Sequence, residues 1–140
     1  MTENLFVCGT LLPELVPDHL RGFMRSCASV GEAFVSGRLY DLGKYPGAIL
    51  DTNATERIRG WIYQLPDDPA VLLSLDDYEG IDRNDESASL FIRQRVKATM
   101  ATGEKVDCWI YTYNRSVHLA PIIDGGDYLQ HLAARNVNDG

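Results

Sequence analysis

Residues 89–114 read SLFIRQRVKATMATGEKVDCWIYTYN, two arms rich in β-branched and aromatic residues around a short polar centre. Apolar and polar residues alternate along both arms, the period of a strand with one face buried. The intervening MATGE contains Gly103, a residue suited to the left-handed turn of a hairpin. The stretch therefore predicts two antiparallel strands over 89–99 and 105–114. Working toward the N-terminus, RIRGWIYQL (57–65) alternates in the same way and stops at Pro66. YPGAILD (45–51) reads as a turn followed by a short strand. EAFVSGRLYDLG (32–43) reads as another strand, with Gly37 as a bulge or a point of close backbone approach. Residues 4–9 read as a buried strand.

Helical signals fall between and after these strands. A short helix is predicted near 17–25, with Asp18 shortly before the apolar-periodic run. A second is predicted over 68–79, capped by Asp67 or Asp68, with Pro69 in its first turn and Gly80 as its terminator. A third covers 125–136, leaving NVNDG as a frayed tail. Evenly spaced strands with a few short helices predict one α+β domain over residues 1–140, built on a closed or strongly curled sheet.

Composition narrows the function classes. The 140 residues are 45% hydrophobic and 24% charged, ordinary for a globular chain. A net charge of −7 and the absence of any basic run argue against a nucleic-acid partner. No apolar stretch approaches the roughly 20 residues of a membrane-spanning helix, and no signal peptide is visible, so neither membrane nor export is expected. Cys8, Cys27 and Cys108 lack paired spacing and read as reduced thiols of a cytoplasmic protein. His19, His118 and His131 are scattered, so no metal is expected.

Within the helix at 68–79, Val71, Leu72, Leu75, Tyr78 and Glu79 share one stripe at 100° per residue. Asp76 and Asp77 are expected to point to solvent. Glu79 thus lies on the apolar face at the C-terminal end, where desolvation and the helix dipole both disfavour the anion. Both raise its pKa above the roughly 4.3 of a free glutamate, as a proton-shuttling group requires. The alternative is that Glu79 turns outward where the helix frays.

One stretch remains unexplained by patterning. In LFVCGTLLPEL (5–15) a strand ends in Gly-Thr with no hairpin signal. Either the chain simply reverses, or a ligand sits on the exposed backbone.

Together these segments resemble the γ-glutamylcyclotransferase-like superfamily, the AIG2-like group that includes γ-glutamylamine cyclotransferase. LFVCGTLL is similar to the family's first strand and [YF]-G-[ST]-L loop, and GRLYDLGKYPGAI to its second block. RGWIYQL, LDDYEG, SLFIRQRV, CWIYTYN and GGDY are similar to its later motifs, in the same order. The resemblance implies a small mixed β-barrel with short flanking helices. It implies cyclisation of a γ-glutamyl amine or γ-glutamyl amino acid to 5-oxoproline with release of the amine, an acyltransferase or lyase reaction without cofactor or metal. The glutamate matching Glu79 is the implied general acid/base. The turn at Gly9, Thr10 and Leu11, with flanking Cys8 and Leu12, is the implied substrate-binding backbone, its amides holding an anion. Glycine suits that loop because no side chain blocks the approaching ligand.

Pro46 and Gly47 shape a turn that could wall the cavity. Arg93 matches an arginine of the family's strand, although Arg95 shares its face. Tyr113 is the tyrosine expected at the ligand; Tyr40, Tyr45 and Tyr111 are expected in the core. Asp41 and Lys44 read as turn residues. Cys8 and Phe91 replace aromatic residues common in the family, which leaves the released amine open. Two rival readings stay in play. One makes Cys8 a nucleophile with His118 or His131 as base. The other is a non-catalytic protein that binds a glutamyl-like acid in the same pocket.

Overall fold

The 14-residue strand β2 (Ala28–Asp41) belongs to two pairings at once, and this closes the sheet. The computed structural model describes residues 3–82 and 84–139. Along its first part, β2 pairs antiparallel with β4 (Arg57–Gln64) on one side. On the other side it meets β5 (Phe91–Met100) through Ala33↔Met100 and Phe34↔Thr99. β1 (Asn4–Val7) lies antiparallel to β4 and parallel to β6 (Lys105–Tyr113), which pairs with β5 over nine residue pairs from Phe91↔Tyr113 to Thr99↔Lys105. The ring β2-β4-β1-β6-β5 is a five-stranded mixed barrel, as the resemblance implied. β3 (Pro46–Leu50) hangs outside it, paired to the last residues of β2.

The register explains why closure works. Alternation places Phe6, Ala33, Val35, Ile58, Ile62, Ala98, Cys108 and Ile110 on one face, and all are at most 2% exposed. A five-stranded barrel has a narrow interior, so small residues must alternate with large ones. Gly60 is one tight point: a Cβ there would strike the Phe6 ring and the Val7 carbonyl. The opposite face carries Leu5, Val7, Tyr63 and Tyr111, which join Leu11, Leu12, Val16, Met24, Val71 and Leu75 in the same buried cluster. That second layer is covered by α1 (Asp18–Arg25) and α2 (Pro69–Tyr78). α3 (Tyr128–Asp139) closes the chain.

Most expected elements are present, with differences that have local causes. β2 starts four residues before its expected edge, and its irregularity falls between Ser29 and Gly31. Of the two alternatives for Gly37, it is the point of close approach: at φ +152° its missing Cβ leaves room for the Ile49 carbonyl where β2 changes partner from β4 to β3. Asp18 is not a cap. Pro17 occupies that position, and Asp18 pairs with Arg21 at 3.0 Å one turn later. α3 runs on to Asp139 rather than fraying at 136, and Gly140 lies outside the described residues. All three cysteines are free thiols. No helix among the described residues is long and apolar enough to cross a membrane.

Candidate active site

α2 delivers its last side chains by a defined stop. Asp68 caps the N-terminus by accepting from the Ala70 amide at 3.0 Å, and Pro69 occupies the first turn. At the other end Gly80 adopts φ +75°, its N–H bonds the Asp77 carbonyl, and the Ile81 N–H reaches back to Asp76. This paired closure uses the left-handed glycine to satisfy the final carbonyls. It holds Glu79 in helical geometry (φ −81°, ψ −2°), so the residue does not fray outward.

The loop after β1 faces that helix end. Gly9 and Leu12 form a turn, with the Leu12 amide donating to the Gly9 carbonyl at 2.9 Å. Leu15 and Val16 both donate to Leu12. Among the described residues, none of the amides of Gly9, Thr10 and Leu11 donates to a protein acceptor. The Thr10 and Tyr78 hydroxyls, 2.9 Å apart, tie the loop to α2.

Between loop and helix lies a cavity of about 340 Å³. Cys8, Gly9, Thr10 and Leu11 line one side, Tyr78, Glu79 and Gly80 another, and Tyr45, Pro46 and Phe91 a third. Glu79 is only partly exposed, and its carboxyl has no ion-pair partner among the described residues. Burial pushes its pKa up to about 7. An acid of that strength is half ionised at neutrality, able both to take and to give a proton.

Behind Glu79 stands a polar assembly that patterning did not reveal. Asp76 is 4% exposed, not turned to solvent. It accepts a hydrogen bond from the Tyr111 hydroxyl at 2.7 Å, and Arg93 Nη1 lies 3.5 Å from the same oxygen. Arg93 also sits over the Trp109 ring, 4.6 Å from its centroid, with Arg95 at 4.0 Å from it. Helical phase misplaced Asp76 because α2 is covered on two adjoining sides. The 71-75-78 row meets the apolar layer, and Asp76, on the adjoining side, meets Arg93 of β5 and Tyr111 of β6.

The residues expected around a ligand divide into two groups. Glu79, Cys8, Gly9, Thr10, Leu11 and Pro46 all line the cavity. Leu12, Gly47, Arg93 and Tyr113 do not. Leu12 is 2% exposed in the core, where the turn points it. Gly47 is covered by Leu42 and Tyr113, whose atoms would lie 2.8 and 3.0 Å from a Cβ at that position. Arg93 faces Asp76, and Tyr113 packs edge-on to Phe91 with ring centres 5.5 Å apart. Gly9 also differs from expectation: its open side is filled by the Pro46 ring, 2.7 Å from where a Cβ would be. Tyr111 is buried in the core as expected and also lines the cavity; Tyr45, half-buried and outside the core cluster, lines it too, as do Tyr78 and Phe91. Tyr78 was signalled by its place in the stripe beside Glu79; Tyr45 and Tyr111 carried no local signal.

The rival nucleophile finds no support in this geometry. Burial first, and the nearby Glu79 second, push the Cys8 thiol up to about 12, far from a thiolate at neutral pH. His131 is engaged with Asp41 at 2.8 Å, His118 is exposed, and neither lines the cavity.

A family model described as gamma-glutamyl cyclotransferase, AIG2-like, matches residues 5–130. Among solved structures, YkqA from Bacillus subtilis superposes with a TM-score of 0.74 at 22% identity, over 98% of this chain and 43% of YkqA. The chain therefore spans less than half the length of that protein. An AIG2-like protein from Mus musculus gives a TM-score of 0.68 at 22% identity, covering 88% of this chain and 86% of its own. YtfP from Escherichia coli gives 0.62 at 26% identity, covering 91% and 97%. No curated protein sequence matches the chain.

Proposed function

The chain belongs to the gamma-glutamyl cyclotransferase, AIG2-like family, and from that premise we propose that it cyclises a γ-glutamyl amine or γ-glutamyl amino acid to 5-oxoproline and releases the amine. The observation that carries this reading is the Glu79 carboxyl, raised to about 7, on a cavity shared with the unpaired amides of Gly9, Thr10 and Leu11.

The chemistry asks for little beyond positioning and proton transfer. The substrate's α-nitrogen attacks its own γ-carbonyl carbon, a C–N bond forms in the five-membered ring, and the amide bond to the departing amine breaks. Two protons leave the α-ammonium in the course of the reaction and two arrive on the departing nitrogen. Ionised Glu79 takes the first, which frees the lone pair for attack, and returns it to the leaving group; the second passes the same way. The amides of Gly9, Thr10 and Leu11 hold the substrate carboxylate, and the cavity walls fold the glutamyl chain toward attack. Thr10 and Tyr78 brace that loop, while Pro46 lines the cavity beside it.

The test is direct. Incubation with γ-glutamyl amines, γ-glutamyl amino acids and glutathione is expected to release 5-oxoproline from at least one. Glu79→Gln is expected to lower turnover by roughly 10²- to 10⁴-fold, the usual scale of general acid–base catalysis. Thermal stabilisation by these ligands without any product would identify a binding protein instead.

A further inference from the structure

Tyr111 lines the cavity, yet its hydroxyl proton is committed elsewhere. It donates to Asp76 Oδ1 at 2.7 Å. Asp76 is fixed as an acceptor because Arg93, also stacked on Trp109, stands 3.5 Å from the same oxygen. A phenol whose proton points away from a cavity offers that cavity only lone pairs. The wall formed by Tyr111 and Glu79 therefore offers acceptors, while the opposite loop lines the cavity with Gly9, Thr10 and Leu11, whose N–H groups have no protein acceptor among the described residues. A ligand with a cationic N–H group at one end and an anion at the other fits this polarity in one orientation.

We propose that the Tyr111 oxygen accepts a hydrogen bond from the amino nitrogen of the bound ligand, with Asp76 and Arg93 as positioning residues that keep the hydroxyl turned that way. The proposal rests on the reading of the cavity as a γ-glutamyl site, and it adds the group that recognises the α-amine. It also orients the reaction, since it places the attacking nitrogen beside the carboxyl that deprotonates it. Arg93, expected at the substrate, then acts indirectly, through its ion pair with Asp76 and the Asp76–Tyr111 hydrogen bond.

Binding without turnover separates this from the reading beneath it. In the Glu79→Gln background, dissociation constants are measured for N5-methylglutamine and for N-methylglutaramic acid, which lacks only the α-amine. Adding Tyr111→Phe is expected to weaken N5-methylglutamine about tenfold, the scale of a charge-assisted hydrogen bond, and to leave N-methylglutaramic acid within about twofold. Asp76→Ala, which frees the Tyr111 proton to turn toward the cavity, is expected to produce the same selective loss, and serves should the phenylalanine variant fail to fold. Equal effects on both ligands, or none on either, overturn the proposal and leave the γ-glutamyl reading standing. Failure of the Glu79→Gln protein to bind either ligand overturns both.

Discussion

The hydroxyls of Thr10 and Tyr78, 2.9 Å apart, are the direct tie between the loop that follows β1 and the end of α2. One half of the candidate site is backbone, the other a carboxyl, and this bond sets their separation. Tyr78→Phe removes the tie and keeps the ring. A neutral, partly exposed hydrogen bond contributes about 1 kcal/mol, so the variant is expected to unfold only slightly earlier. Its activity is expected to fall more, through a higher KM, because the amides of Gly9 to Leu11 lose their fixed distance from Glu79. Steady-state kinetics beside a thermal melt distinguish the two effects.

Glu79 links activity to pH and sets stability against it. Its ordinary value of 4.5 rises to about 7 in the folded protein through burial. Below pH 4.5 the carboxyl is neutral folded or unfolded, and its contribution is fully present. Between 4.5 and about 7 the unfolded chain releases the proton while the folded one keeps it, so stability declines; above 7 the loss is complete. The difference corresponds to roughly 3 kcal/mol. Glu79→Gln is expected to match the native protein near pH 4 and to exceed it by up to about that amount at pH 8, in denaturant titrations. A uniform difference across pH would contradict the burial of this carboxyl.

The same titration governs the rate. With Glu79 as the base that receives the first proton, kcat/KM is expected to rise about tenfold per pH unit below about 7 and to level off above it, in a pH series of 5-oxoproline release. A limb centred near 4.5 would assign the base elsewhere.

Arg93 and Asp76 form a buried partnership whose halves depend on each other. Arg93→Ala leaves the Asp76 carboxylate with Tyr111 as its one side-chain partner among the described residues and is expected to cost about 2–3 kcal/mol, at the low end for a broken buried pair because the arginine is 25% exposed. Replacing Asp76 by leucine in that background is expected to recover part of the loss, since no charge then remains to be desolvated. Chemical denaturation of both variants measures the coupling.

Gly9 carries a steric requirement distinct from ligand access. In Gly9→Ala the new Cβ would lie 2.7 Å from Pro46 Cγ and 3.0 Å from its Cδ. The buried proline ring has little freedom to yield, so loop and β3 must part. The expected cost is about 1–3 kcal/mol, with a raised KM from the shifted amides. Gly103→Ala, in the open hairpin turn, is the control: no atom lies near its Cβ, and only its φ of +88° opposes the change.

Local chemistry was enough wherever a pattern answers to its own neighbours. The strand arms of 89–114, the Asp68 cap, the Gly80 stop and the phase that put Glu79 on the covered side of α2 are all set within a few residues of chain. Such features follow from side-chain alternation, capping bonds and backbone dihedrals. Tertiary structure decided the rest. A helical wheel says where an apolar stripe lies but not how wide a cover it meets, so Asp76 was legible only once β5 and β6 stood over α2. Tyr45, Tyr111 and the Pro46 ring against Gly9 meet the cavity because the barrel closes and β3 folds across its loop. These contacts join positions tens of residues apart, which no local period encodes.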